Sequence, residues 1–296
     1  MIKKLDPERV TPILKAALKE DIGNRDLTSQ ALLGPNVRVG AEIVARGTGV
    51  VAGVPLVEMA CQITNRSLRV KPMVADGTAV KSGKAVVFLE GQARSILMGE
   101  RTLINFLSHL SGIASLTRAF VEKTKPYPAK ILDTRKTTPN LRYLEKYAVA
   151  VGGGRNHRMG LYDQVMVKEN HLQALLLQNA KGPGRGHKEM IPAVLSRVRS
   201  AVPKKTIVEV EVRTPEEFEQ ALAHGAEIIL LDHFSAAQVR QAVKRRLKSK
   251  RRVFLEASGG ITLANVASYA ATGVDYISTG ALVRDAKGLD FSLEIV

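Results

Sequence analysis

From Ala129 onward the sequence repeats one unit: a short apolar run, a polar cluster at its carboxyl end, then a helix with legible caps. The apolar runs are KILDTRK, QVMVKENH, TIVEVEV, EIILLDH, RVFLEASGG and VDYISTGA. Nearly continuous hydrophobicity of this kind suits parallel strands buried on both faces. The intervening helices carry their own punctuation. Thr138 and Pro139 read as the N-cap and first residue of one, ended by the run Gly152 to Gly154. Thr214, Pro215 and Glu217 form a capping box before a second that stops at Gly225, and Thr262 and Gly273 bracket a third. Six units in roughly 150 residues predict an α/β fold with an incomplete, TIM-like α/β barrel, an open doubly wound sheet being the alternative.

The first hundred or so residues lack this repeat. A short amphipathic helix from Pro12 to Lys19 precedes the glycine-punctuated, strand-like runs VRVGAEIVARGTGVVAG and AVVFLEGQA, the pattern of a small α+β domain. Between Met98 and Lys125, the residues Leu103, Phe106, Leu107, Leu110, Ile113, Leu116 and Phe120 recur at helical spacing, so one long helix joins the two parts. The expected division is an amino-terminal domain over 1–112, which the tail 285–296 is free to rejoin, and a barrel domain over 113–284.

Charge and composition narrow the function. The 296 residues are 45% hydrophobic, enough for a substantial core, and carry a formal net charge of +16. Such a charge serves nucleic acid, an acidic membrane surface or a substrate with several negative groups. The densest basic run, VKRRLKSKRR at 243–252, has no interleaved aromatic for base stacking and follows an amphipathic helix, where cations favour the carboxyl end; it reads as solvated surface. MIKKLDPERV lacks an apolar signal core and no stretch approaches a membrane span, so a cytoplasmic location without membrane or nucleic-acid partners is expected. The single cysteine, Cys61, lies in the apolar, helix-like run GVPLVEMACQI and is expected to be buried and inert.

In α/β barrels the active site forms at the carboxyl ends of the strands. Read in order, those ends supply Arg135 and Lys136, then Lys168, Glu209 with Glu211, Asp232, then Ser258, Gly259 and Gly260, and finally Gly280; the loop before the second strand adds His157 and Arg158. One half is cationic, and a guanidinium fork beside an ammonium suits carboxylate and phosphate groups. The turn ASGGIT before a helix starting near Leu263, and the turn STGAL, read as phosphate cradles made of free N–H groups and a helix dipole, or else as ordinary tight turns. Glu211 and Asp232, on adjacent strands at matching depth, either share Mg²⁺, stabilise a developing positive charge, or pair with Lys168. No His or Cys spacing suggests zinc.

Together with EDIGNRDLTS, ERTLINFLSHLSGIAS, DTRKTTPNLRYLEKYAVAVGGGRNHRMGLYDQVMVKENH, VEVEV, LLDHF, LEASGGI and STGAL, these features resemble the quinolinate phosphoribosyltransferase family along nearly the whole chain. The resemblance implies an amino-terminal open-faced sandwich, an incomplete barrel, quinolinate and phosphoribosyl pyrophosphate as substrates, Mg²⁺ as cofactor, and a homodimer, or a hexamer of dimers, with shared active sites. It places Arg101 in the neighbouring subunit's site and Arg135, Lys136, Thr137, His157, Arg158 and Lys168 around the substrate. It places Glu211 and Asp232 near the ribose and the metal, and Ser258, Gly259, Gly260 and Gly280 at the phosphate; Lys136, Lys168, Glu211 and Asp232 are the candidates for catalysis. The early motif departs from the family in having Asn24 and Arg25 where glycine is usual, which implies altered loop geometry. The competing readings are a molybdenum-transport-associated relative of the same fold with another substrate, and a non-catalytic anion or nucleic-acid binder. The Arg135–Lys136 and His157–Arg158 pairs suit a dicarboxylate and favour quinolinate.

Overall fold

The computed structural model describes residue 2 and residues 4–178 and 187–296. Its contacts divide it into two compact units, one built from Met1–Ala119, Lys136–Asn156 and Leu282–Val296, the other from Phe120–Arg135 and His157–Ala281.

The first unit begins with α1 (Pro7–Ile22) and α2 (Leu27–Leu32), each capped by an aspartate: Asp6 accepts from the Glu8 N–H and Asp26 from that of Ser29. The helix read from Pro12 thus starts earlier, because Asp6 followed by Pro7 is the stronger start signal. Strands β1 (Arg38–Ala45) and β2 (Gly49–Val50) lead to α3 (Val54–Thr64), then β3 (Arg69–Pro72), β4 (Ala79–Val80) and β5 (Ala85–Gln92). Asp76 opens α3 by accepting the N–H groups of Gly53 and Val54. Helix α4 (Ala93–Thr124) then runs from the first unit into the second. The antiparallel sheet takes the order β12-β1-β5-β3, its first strand being the tail segment β12 (Phe291–Ile295). The tail is fixed against α4 as well: Leu289 N–H donates to Ser108 O, and a Cβ on Gly112 would lie 2.2 Å from the Lys287 carbonyl oxygen. Only glycine leaves that space.

The second unit holds the strands β6 (Lys130–Leu132), β7 (Val165–Val167), β8 (Val208–Val212), β9 (Ile228–Asp232), β10 (Phe254–Ser258) and β11 (Tyr276–Ser278), the six expected from the sequence repeat. They pair in parallel in the order β6-β11-β10-β9-β8-β7. This order is cyclic: each strand lies beside its successor from β7 to β11, and β6 then follows β11. A doubly wound sheet reverses at an interior switch point, so the topology is that of a barrel. Among the described residues β6 and β7 do not pair, and the ring is left open there.

Alternation along these strands sorts the side chains. Val208, Val210, Val212, Ile229, Leu231, Leu255, Ala257 and Ile277 are buried on one face, while Glu209, Glu211, Leu230, Asp232, Glu256, Ser258 and Ser278 share the other by register. The helices α6 (Glu169–Gln178), α7 (His187–Ala201), α8 (Pro215–His224), α9 (Ala236–Leu247) and α10 (Val266–Ala270) separate the strands, α5 (Arg142–Val151) belongs to the first unit, and α11 (Ala281–Arg284) follows β11. Helix α8 opens as read, with the Thr214 side chain accepting from Glu217 N–H and Gly225 closing in the left-handed region. The Glu217 carboxylate, however, reaches Arg213 N–H at 2.7 Å.

Two other helix starts differ from expectation. Thr138 and Pro139 lie in a turn closed by Leu141 N–H on Thr138 O, with Asn140 at φ 65°, a conformation no helix admits, so α5 begins at Arg142. Thr262 likewise heads a turn closed on its carbonyl by Asn265, and α10 begins at Val266, later than Leu263.

Candidate active site

The cationic residues fall into both units. Arg135 and Arg158 belong to the second; Lys136, Thr137 and Arg101 belong to the first. Within the first unit the segment after Lys136 is anchored from α5: Arg142 Nε donates to Thr137 Oγ1 at 2.9 Å, and Thr138 N–H donates to the buried Glu145 carboxylate, which also meets His109 Nε2 at 2.9 Å. Lys136 and Arg101, the latter on α4, are exposed.

In the second unit the Arg158 side chain is held by the backbone oxygen of Gln164 (3.1 Å) and by Met166 Sδ (3.5 Å). Burial, and then the charge of Arg135 nearby, lower its pKa from the usual arginine value. Two neighbouring guanidiniums make this part of the unit strongly cationic, an environment that favours an anion.

Beneath them His157 and two inward glutamates form a buried cluster. His157 Nε2 lies 3.1 Å from Glu209 and 3.5 Å from Glu256, and both carboxylates are fully buried. Gln164 Nε2 donates to the same Glu209 oxygen that meets the histidine. Neither Glu256 oxygen has a hydrogen-bond donor, and neither does the second Glu209 oxygen. Burial alone lowers the imidazole pKa, while the contact with Glu209 and the charges of both glutamates work the other way and raise it. Burial, and next the charge of Glu256, push Glu209 up to about 7.

The three ligand atoms lie within 4.8 Å of one another, the dimensions of a metal cage that the sequence spacing did not suggest. The tautomer argues otherwise. His157 Nδ1 accepts the Arg158 N–H at 2.8 Å, which puts the ring proton on Nε2, the atom that would have to face the ion.

Nearer the mouth, Lys168 Nζ donates to Glu211 at 2.9 Å and Arg213 Nε to Asp232 at 3.2 Å; Arg213 also pairs with Glu169. Glu211 stands opposite Leu230 and Asp232 opposite Ser258, so the two carboxylates share a face but are staggered by two residues along the strands. Each therefore has a cationic neighbour of its own. His233, just past Asp232, sits at φ 58° with its N–H donated to Ser258 O, and a Cβ on Gly259 (φ 87°) would lie 2.7 Å from its ring.

The two glycine turns lie side by side. Ser278 Oγ donates to Ser258 Oγ at 3.0 Å, and Thr279 Oγ1 to Ile261 O at 3.0 Å. The N–H groups of Gly259, Gly260 and Gly280 take no part in the main-chain bonds of these turns. The helix-dipole part of the expectation is corrected: α10 has only five residues, and the Asn265 side chain accepts the Thr262 N–H ahead of it.

Outside the site, Cys61 is buried and burial pushes its thiol up to about 12, in keeping with an inert role. The 243–252 run forms the end of α9 and its exit, with Arg245 paired to Glu219 and Arg246 to Asp275, both at 2.8 Å. No helix among the described residues is long and apolar enough to cross a membrane.

Glu256, Gln164 and Arg213 were not singled out from sequence. A charge between two apolar residues, as in LEA, was the available signal for Glu256.

Comparison with known proteins agrees with this geometry. The model of the quinolinate phosphoribosyl transferase amino-terminal domain matches residues 26–111 and that of its carboxyl-terminal domain residues 113–294. A probable nicotinate-nucleotide pyrophosphorylase [carboxylating] of Synechocystis is 39% identical, over 97% of this chain and 92% of its own. The nicotinate-nucleotide pyrophosphorylase [carboxylating] of Mycobacterium leprae is 38% identical over all of both chains. The crystal structure of NadC from Streptococcus pyogenes superposes over all of both chains with TM-score 0.90 and 36% identity.

Proposed function

Because this chain belongs to the quinolinate phosphoribosyltransferase family, we propose that it joins quinolinate to phosphoribosyl pyrophosphate, releasing pyrophosphate and CO₂ and forming nicotinate mononucleotide for de novo NAD synthesis. The observation that carries the reading to the residues is the neighbouring pair of Arg135, just past β6, and Arg158, in the loop ahead of β7. A planar ring bearing two carboxylates is the kind of ligand that relieves their repulsion, through bidentate hydrogen bonds.

In the reaction the ribose C1–oxygen bond to pyrophosphate breaks as the pyridine nitrogen bonds to C1. The ring becomes cationic, and its positive nitrogen stabilises the electron pair that stays on the neighbouring carbon when its carboxylate departs as CO₂; that pair then takes a proton. The protein's task is positioning and charge. Arg135, Arg158, Lys136 and Thr137 orient the dicarboxylate. Glu211 and Asp232 face the developing positive charge of the ribose. The turns at Ser258, Gly259, Gly260 and Gly280 receive the 5′-phosphate through their N–H groups. Lys168, released from Glu211, is available to the pyrophosphate.

Glu211 and Asp232 also suit Mg²⁺, which takes one or two carboxylates and completes its shell with waters and phosphate oxygens; their stagger and their existing pairs fit a shared role with substrate better than a cage of protein ligands. Bound there, the ion supplies charge neutralisation for the pyrophosphate. The protein acts in the cytoplasm as a homodimer, with the exposed Arg101 reaching into the partner's site; a hexamer of such dimers would need a second contact surface.

Turnover of quinolinate with phosphoribosyl pyrophosphate and Mg²⁺, scored for nicotinate mononucleotide and CO₂, is the test. Product is expected from quinolinate and not from nicotinate supplied in parallel. Product from nicotinate alone overturns the assignment.

A further inference from the structure

Glu256 has no task in the reaction as written, and it is expensive to keep. Its carboxylate is fully buried with neither oxygen receiving a hydrogen bond, and it shares its surroundings with Glu209, a second buried carboxylate. Burying like charges together opposes folding unless something else is gained. The His157 Nε2 lies 3.5 Å from it, and the cluster leads from there to Arg158 by two routes. One is local and short: the Arg158 N–H donates to His157 Nδ1, so the rotation of the ring and the course of the backbone at Arg158 are set together. The other runs through Gln164, whose side chain donates to Glu209 and whose backbone oxygen receives the Arg158 guanidinium.

We propose that Glu256, acting with Glu209, is a positioning residue for dicarboxylate binding: the two buried carboxylates clamp the His157 ring from below and thereby hold Arg158 in place. Glu256 touches no substrate. Its negative charge keeps the Nε2 proton of His157 directed into the barrel, which leaves Nδ1 to accept from the backbone of Arg158. A neutral amide of the same shape offers donors of its own to that region and removes the bias. This inference rests on Arg158 being a ligand of the quinolinate carboxylates.

The structural cost makes the test specific. A side chain kept for packing loses activity and stability together when changed. Glu256→Gln is instead expected to leave the melting temperature equal or higher while raising the KM for quinolinate roughly ten- to a hundred-fold, the scale of a misplacement of about 1 Å, with the KM for phosphoribosyl pyrophosphate within about twofold. Glu209→Gln should follow the same pattern, since it removes the other half of the clamp. In ¹⁵N-histidine spectra the ring whose signals vanish in His157→Asn should report an Nε2–H tautomer in the wild type and change in Glu256→Gln. An unchanged quinolinate KM in Glu256→Gln overturns the proposal, as does an equal rise in both KM values with a fall in melting temperature. Arg158→Ala separates this from the parent assignment: if calorimetry shows quinolinate still bound with unaltered affinity by Arg158→Ala, the ligand role of Arg158 fails; if Arg158→Ala loses binding and Glu256→Gln keeps it, the clamp alone fails.

Discussion

The two sheets of this protein follow the same alternation and use it in opposite ways. In the antiparallel sheet of the first unit the face turned from solvent is apolar, with Ala41, Ile43, Val87 and Leu89 buried, and charges such as Arg69 and Glu90 lie where water screens them. In the parallel sheet of the second unit, the apolar residues Val208, Val210, Ile229 and Leu255 alternate with the glutamates and aspartate that share the opposite face. Water surrounds the first set of charges and is largely excluded from the second. A charge in the first sheet is thus cheap and replaceable, whereas each charge inside the barrel opposes folding and needs a chemical reason to persist.

Substitutions sharpen that contrast. The largest effect is expected at Arg158: Arg158→Ala should lower kcat/KM for quinolinate by about 2–5 kcal/mol, roughly thirty-fold to several-thousand-fold, with Arg158→Lys recovering part of it through charge but not the fork. Near-normal steady-state kinetics in Arg158→Ala would dissolve the comparison, because the barrel charges would then be as dispensable as those of the other sheet. In the first unit Ile43→Ala should cost about 2–5 kcal/mol of unfolding free energy by denaturant titration, yet leave KM values of the folded enzyme unaltered. Thr214→Ala removes a helix cap and should cost about 1 kcal/mol. Smallest of all, Arg69→Ala breaks an exposed pair at 3.7 Å and should shift stability by less than about 0.5 kcal/mol.

The sequence revealed the barrel more readily than its interior. Six apolar runs with caps between them were enough to place every strand of the ring among the described residues, because a strand buried on both faces announces itself by composition. Where the reading missed, the decisive contact was remote in sequence or local and conformational. The helix start at Thr138 failed on one left-handed residue, Asn140, which propensity alone does not reveal. The role of Glu256 was hidden because its partners, His157 and Glu209, arrive from a loop and from a strand far upstream. Arg213 stands just ahead of a capping box in the sequence, and only the adjacency of β8 and β9 brings it to Asp232. VEVEV and LEA set charges between apolar residues, and only the register of the parallel sheet shows that those charges face inward and what they face.

The pairing of β12 with β1 sets Ala41 against Ile295. During synthesis β1 leaves the ribosome roughly 250 residues before the strand that covers its edge, and contacts of such long sequence separation form late. Until then β1 offers an unpaired row of N–H and C=O groups to any passing strand. The most vulnerable moment in the life of this protein therefore belongs to its nascent chain, and removing residues 291–295 should prolong it, producing aggregation during expression out of proportion to the loss of five residues.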